Sequence, residues 1–281
     1  MALEARVTLL VENTVRGRDM CGEHGLAYWI EWGDRRFLFD TGQGLALARN
    51  AGQLRVDLAS AEAVVFSHGH YDHTSGLAAV LDTGARPRIV AHRAAFEPKF
   101  VQRADGQIQE IGMPAALLAR VRALGLEVVH PERITELAEG LYVTGEIARH
   151  TDFEESSAAF LKDEHGTLDP LVDDQAVFFD TEDGLVVLLG CAHSGVINTL
   201  RHVEAYLSGR RVDTVIGGMH LAGASASRLE RTIAALQEIA PRRLGGAHCT
   251  GIRAVSRLWS QLPDSAVEAI VGSRWSFKVR S

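Results

Sequence analysis

Three histidines and an aspartate stand within six positions in the run Ser67-His68-Gly69-His70-Tyr71-Asp72-His73. Neutral imidazole is the commonest nitrogen ligand for zinc and iron, and carboxylate adds a hard oxygen donor. The pattern H-x-H-x-D-H therefore points to metal binding, against the plainer alternative of a polar surface loop in which histidines happen to cluster. His68 and His70 alternate, so an extended backbone places both on one side. Asp72 and His73 come after a turn and can face a second position. This spacing suits two ions roughly 3.5–4 Å apart, one held mainly by histidines and one by Asp72 and His73.

Four residues of one loop rarely complete two coordination shells, so distant partners are required. They should also follow apolar strands. His193 lies in Gly190-Cys191-Ala192-His193-Ser194-Gly195, directly after the apolar run 185–189. His220 lies in Gly217-Gly218-Met219-His220-Leu221, and His248 in Gly245-Gly246-Ala247-His248-Cys249-Thr250-Gly251. Small neighbours let the backbone approach a site closely. His193 and His248 are the expected ligands. His220 is open between ligand, substrate contact and structural residue. His24, flanked by glycine ahead of a strand, is a candidate pocket residue. Glu146 and His150 are placed to approach the site, and Arg149 to meet an anionic group. His92, His130, His165 and His202 are expected at the surface.

The elements that would position these residues can be read from apolar patterning. Residues 6–12, 26–32 and 36–40 read as strands, the last two joined by the turn signal Gly33-Asp34. Residues 63–67 form a buried strand that delivers the histidine cluster, and 88–91 form another. Strands are expected also at 140–144, 176–180, 185–189, 214–216, 243–246, 266–271 and 275–279. Helices are expected at 44–51, 75–81, 114–124, 194–207, 225–239 and 253–262, with Pro114 at a helix start. The stretch 93–130 reads as irregular, with a mobile segment around 96–113 flanking the site. Hairpins early and strand–helix alternation later predict a layered α/β fold with mixed sheets. No Pro/Gly/Ser-rich linker divides residues 1–281, so one domain is expected.

Composition bounds the function. The chain has 46% apolar and 23% charged residues, as soluble globular proteins do. A net charge of −7 without a dense Lys/Arg run argues against nucleic acid as partner. Three cysteines argue against a disulfide scaffold and for a reduced, cytoplasmic setting. The start of the chain lacks the pattern of a signal peptide, and no apolar run reaches membrane-spanning length. No pattern specifies an oligomer.

With these motifs the chain resembles the metallo-β-lactamase superfamily. His68, His70, Asp72 and His73 match its H-x-H-x-D-H signature, and Phe39-Asp40-Thr41-Gly42 matches the F-D-T-G that precedes it. Glu23-His24-Gly25-Leu26, Gly190-Cys191-Ala192-His193-Ser194-Gly195 and His248-Cys249-Thr250-Gly251 are similar to a narrower branch. That branch comprises metal-dependent hydrolases related to 7,8-dihydropterin-6-yl-methyl-4-(β-D-ribofuranosyl)aminobenzene 5′-phosphate synthase. The resemblance implies a four-layer αβ/βα sandwich with metals at one edge, and Asp40 bracing the metal loop from behind. It also implies a carboxylate bridging two metals after a later strand. Here that position reads Cys191 or His193 instead, which implies that His193 replaces the family's third histidine and that Cys191 stands near the bridge.

The expected activity is metal-dependent hydrolysis, or related group transfer, on a small ester-, lactone- or phosphate-containing substrate, with room for an anionic one. Zinc, as one or two ions, lowers the pKa of bound water to about 7 and supplies hydroxide at neutral pH. Asp72 would serve as ligand and proton acceptor. Iron and manganese also suit these donors, which keeps an Fe(II)-dependent oxidative enzyme as an alternative. A non-catalytic metal- or ligand-binding protein is the third reading.

Overall fold

The computed structural model describes residues 3–154 and 159–280. Strict alternation of side chains along the strands sorts the apolar residues into three cores. In Leu185–Leu189, Val186 and Leu188 face one core while Leu185, Val187 and Leu189 face another. The first sheet orders its strands Arg274–Lys278, Glu4–Val11, Ala27–Trp32, Arg35–Phe39, Ala63–Val65, Arg88–Val90 and Val128–Val129. The second orders Arg243–Ala247, Val212–Gly218, Leu185–Leu189, Val177–Asp180, Leu141–Val143 and Thr135–Ala138. Each sheet is antiparallel on one side and parallel on the other.

The middle core joins the two sheets. Val7, Leu9, Tyr28, Phe37 and Val65 of the first pack with Val143, Phe179, Leu188 and Ile216 of the second. The outer face of the first sheet is covered by the helices Leu47–Leu54, Leu77–Asp82 and Ala115–Ala123. The outer face of the second is covered by Val196–Tyr206, Ala226–Ile239 and Ile252–Gln261. The result is the expected four-layer αβ/βα sandwich. Each large side chain buried fully in these cores, such as Phe37, Phe39, Phe178 and Phe179, contributes about 1.5–3 kcal/mol of transfer free energy.

Several local expectations need correction. The segment expected to be mobile forms a small antiparallel sheet, with Phe100–Gln102 between Ile108–Glu110 and Phe160–Leu161. Its partner strand arrives from 59 positions later, at Phe160 against Val101, so local patterning could not announce it. Residues 266–271 are not a strand; only Ala266 bridges to Leu244. The helix expected at 44–51 begins at Leu47, because Gly44, Leu45 and Ala46 present their amides to the buried Glu23 carboxylate. The strands Thr135–Ala138 and Val128–Val129 were too short for periodicity to mark. Among the described residues no helix is long and apolar enough to cross a membrane.

Candidate metal centre

The chemistry-bearing residues share one address: the carboxyl ends of parallel strands. Asp40 follows Arg35–Phe39, the cluster 68–73 follows Ala63–Val65, and Cys191 and His193 follow Leu185–Leu189. His220 follows Val212–Gly218, and His248 follows Arg243–Ala247. Open α/β sheets place their ligand sites at such ends, where loops diverge from a rigid platform. Three of these residues, Asp40, His220 and His248, and Ala192 between Cys191 and His193, hold a left-handed backbone with φ between 48° and 58°. Such strain persists only where surrounding structure enforces it, and it concentrates at functional sites.

Two triads of donors result. His68 Nε2 lies 2.8 Å from His70 Nδ1 and 3.2 Å from His193 Nε2. His73 Nε2 lies 3.3 Å from His248 Nε2, and Asp72 Oδ2 lies 3.7 and 3.3 Å from these two nitrogens. His68 and His70 thus share a side, as their alternation predicts. Asp72 and His73 sit in the single helical turn Tyr71–Thr74 and face the second position. His193 and His248 converge on the cluster across 125 and 175 positions of sequence.

The hydrogen bonds behind the triads decide which ring atoms are free. Asp40, fully buried, accepts from Ser67 N, from Ser67 Oγ and from His73 Nδ1, each at 2.7 Å. With its hydroxyl hydrogen committed to Asp40, Ser67 Oγ can only accept from His68 Nδ1 at 2.9 Å. Asn13 Oδ1 accepts from His248 Nδ1 at 2.9 Å, while Glu12 Oε1 takes the His248 backbone amide. These partners fix the tautomers so that His68, His73 and His248 turn their Nε2 lone pairs inward. Gly190 is obligatory here, since a Cβ would fall 2.1 Å from Ser67 Oγ.

The donor set fits a metal. An ion with bonds of about 2.0–2.1 Å in a tetrahedral site holds its ligands roughly 3.3 Å apart, and the donor separations of 2.8 to 3.7 Å bracket that edge. Electrostatics agree for the first triad. Burial pushes His68 and His193 far below the ordinary imidazole range and His70 to about 3, so these rings are neutral donors. Burial also opposes charge on His73, but Asp40 and Asp72 outweigh it and raise that ring to about 9. Burial works against an ionised Asp72 as well, and His73, His24 and His248 overcome it, keeping the carboxyl well below its usual range.

The other expected residues divide. His24 Nε2 sits 3.2 Å from Asp72 Oδ2, with its ring 4.7 Å from that of His248. The His220 ring lies tilted against that of His193, with centroids 4.5 Å apart, and keeps a buried, unpartnered Nδ1. Cys191 Sγ stands 3.2 Å from His73 Nε2. Glu146 does not reach the centre; its carboxylate meets His92 Nε2 at 3.1 Å. His92 in turn is buried rather than at the surface, because it also caps the turn Arg93–Phe96. The backbone amide of His150 binds Asn198, and Arg149 donates to the carbonyl of Leu171.

A run that sequence reading passed over, Asp173-Asp174-Gln175, stitches the metal loops together. Asp173 accepts from Gly69 N between the two histidines, Asp174 from Ser194 N beside His193, and Gln175 N donates to Ser67 O. Lys99, buried, reaches Asp173 and Asp169 at 3.0 Å each. A polar triplet before an apolar strand looks like ordinary loop, so only its burial reveals the role. Phe160 was also missed; its ring lies 5.2 and 5.0 Å from those of His70 and His193. Above the centre opens a cavity of about 310 Å³ walled by His24, Tyr71, Val101, Arg103, Gln109 and Phe160. His24 was expected in the pocket, and Val101, Arg103 and Gln109 come from the segment expected to flank the site; Tyr71 and Phe160 are additions.

A four-layer sandwich with two donor triads at one edge defines a metal-site α/β protein, and the metallo-beta-lactamase superfamily profile matches residues 22–209. The chain belongs to that superfamily. Among its relatives, an uncharacterised protein of Methanocaldococcus jannaschii is 29% identical over 91% of this chain and 94% of its own length. A second protein of that organism, named 7,8-dihydropterin-6-methyl-4-(beta-D-ribofuranosyl)-aminobenzene-5′-phosphate synthase, is 29% identical over 86% of each chain. The crystal structure of Tm1679, a metal-dependent hydrolase of the β-lactamase superfamily, aligns with TM-score 0.82 and 26% identity over 96% of this chain and 98% of that one.

Proposed function

We propose that the protein is a metal-dependent hydrolase, or a closely related group-transfer enzyme, acting on a small ester-, lactone- or phosphate-containing substrate that carries an anionic group. The observation that carries this reading is the pair of triads, His68/His70/His193 and Asp72/His73/His248, of which His70, His193, Asp72 and His248 line a cavity with one guanidinium in its wall. The triads are the ligands for one or two ions, with zinc favoured by the nitrogen-rich donor set. When bound, such an ion acts as a Lewis acid and brings the pKa of its water to about 7.

The chain's own residues do the rest. Arg103 Nε is held by Gln109 Oε1 at 2.7 Å, which aims the guanidinium along the cavity wall to receive a phosphate or carboxylate. Phe160 roofs His70 and His193 and keeps solvent from the reacting centre. Asp72 Oδ2 accepts a proton, and His24 Nε2, 3.2 Å away at the cavity wall, relays it outward. The synthase name of one relative supports the group-transfer form, in which a second substrate takes the place of water.

The test is metal analysis of protein purified without chelators, combined with turnover measurements on esters, lactones, phosphomonoesters and phosphodiesters. Zinc together with hydrolysis that Asp72→Ala abolishes is the expected result. Stoichiometric iron with oxygen uptake would replace it by the oxidative reading. A co-purifying small molecule without turnover would replace it by the binding-protein reading.

A further inference from the structure

Cys191 occupies a place that the two triads leave unexplained. Its Sγ lies 3.2 Å from His73 Nε2 and falls within 4.8 Å of a donor atom of His68 in the same three-residue group. It forms a second such group with His193 and His220, and a third with His248 and Cys249. The sulfur therefore neighbours donors of both triads: His68 and His193 of one, His73 and His248 of the other. The side chain is buried, and the thiol is free of any disulfide.

The backbone is built to put it there. Leu185–Leu189 ends at Gly190, whose missing Cβ lets the strand end close onto Ser67 of the metal loop. Ala192 then takes φ 51°, turning the chain so that residues 191 and 193 both point into the centre. Gly218 clears the far side, since a Cβ there would fall 2.6 Å from Cys249 Sγ and 3.2 Å from Cys191 Cα. A carboxylate in that place would bring the same single negative charge as a thiolate, but on two hard oxygen atoms. A thiolate brings a single soft donor atom with several lone pairs, able to serve two ions at once.

We propose that Cys191 Sγ is a ligand shared by both metal positions, so that the centre is sulfur-bridged. The proposal rests on the metal-centre reading above. A shared thiolate shifts preference toward thiophilic ions such as zinc, iron and cobalt and away from magnesium and calcium.

The test is anaerobic titration of the chelator-stripped, full-length protein with Co(II), read optically. Visible ligand-field absorption reports binding by any donors, and near-ultraviolet thiolate-to-cobalt charge transfer reports sulfur. The expected wild-type result is charge transfer that grows through both the first and the second equivalent. Cys191→Ser should retain the visible bands and lose the charge transfer, and Cys249→Ser should retain both. Cys191→Asp should bind two ions without charge transfer, which controls for a misfolded serine variant. The proposal is overturned if bound cobalt shows no charge transfer, or if the band survives Cys191→Ser or vanishes in Cys249→Ser. Saturation at one equivalent while a second ion still binds would overturn the sharing. Absence of visible absorption from a natively folded wild type would overturn the metal-centre reading itself.

Discussion

Around His68, His70 and His193 the braces grip mainly the backbone, with Ser67 Oγ on His68 Nδ1 the exception; around Asp72, His73 and His248 they grip mainly the side chains, with Glu12 on the His248 amide the exception. On the first side Asp173 holds Gly69 N, Asp174 holds Ser194 N, and Phe160 lies over the rings. On the second, Asp40 takes His73 Nδ1, Asn13 takes His248 Nδ1 and His24 meets Asp72. All three imidazoles of the first triad are pushed below their ordinary pKa by burial, whereas Asp40 and Asp72 lift His73 to about 9. An acid behind an imidazole raises its basicity as a ligand; a rigid backbone behind it fixes direction instead. The two positions are thus built by different means, one by shape and one by charge.

The strongest way to break that contrast is to remove Asp72. Asp72→Ala should lower kcat on the order of 10⁴-fold, since it removes a ligand and a proton acceptor together. It should also halve the bound metal, as measured by elemental analysis. His193→Ala should empty the first position and spare the second; loss of both ions from either variant would mean that the positions are not separately built.

The ion cluster behind the first triad comes next. Lys99→Met leaves two buried carboxylates without their cation and should cost about 3–5 kcal/mol in urea unfolding. Burial opposes the charge on Lys99, but Asp173 and Asp169 overcome it and raise the folded pKa above its usual value. A raised pKa means that this stability is fully present below the unfolded value of about 10.4 and is lost as pH climbs through the folded one. Wild-type stability should therefore fall in that alkaline range, and Lys99→Met should lack this component. An unchanged profile in the variant would refute the assignment.

Asp40→Asn sharpens the charge side. It keeps the shape but removes the anion behind His73, and should weaken metal binding by about 10–100-fold in competition with a chromophoric chelator. Affinity equal to wild type would show that Asp40 acts through shape alone. The smallest effect belongs to the cavity wall. Arg103→Gln should raise KM about tenfold for a phosphoester substrate, the scale of one charge-assisted hydrogen bond, and leave a neutral ester unaffected. An equal rise for both would remove Arg103 from anion recognition.

Much of this centre was legible in the chain, for a definite reason. His68, His70, Asp72 and His73 are neighbours in sequence, so their spacing alone restricts where their donors can meet. His193 and His248 were found because the cluster at 68–73 needs distant partners, and both stand among small residues directly after apolar strands. Glu146 failed the same reasoning, because proximity to a strand end does not say which way a carboxylate turns; His92 was nearer. Glu12, Asn13, Asp173 and Asp174 carried no signal, since their polar types suit any loop.

The sequence by itself determined the layered α/β architecture, the six candidate ligands and the glycine-rich turns that bring them in. Periodicity, spacing and residue chemistry are local properties, and a linear chain displays them directly. Only the tertiary structure decided the pairing of donors into two triads, the bracing of one mainly through backbone amides and of the other mainly through side chains, and the sulfur between them. Those features depend on which strand ends lie side by side, and that order is fixed by burial of the shared core between two sheets, a property no stretch of the chain holds alone.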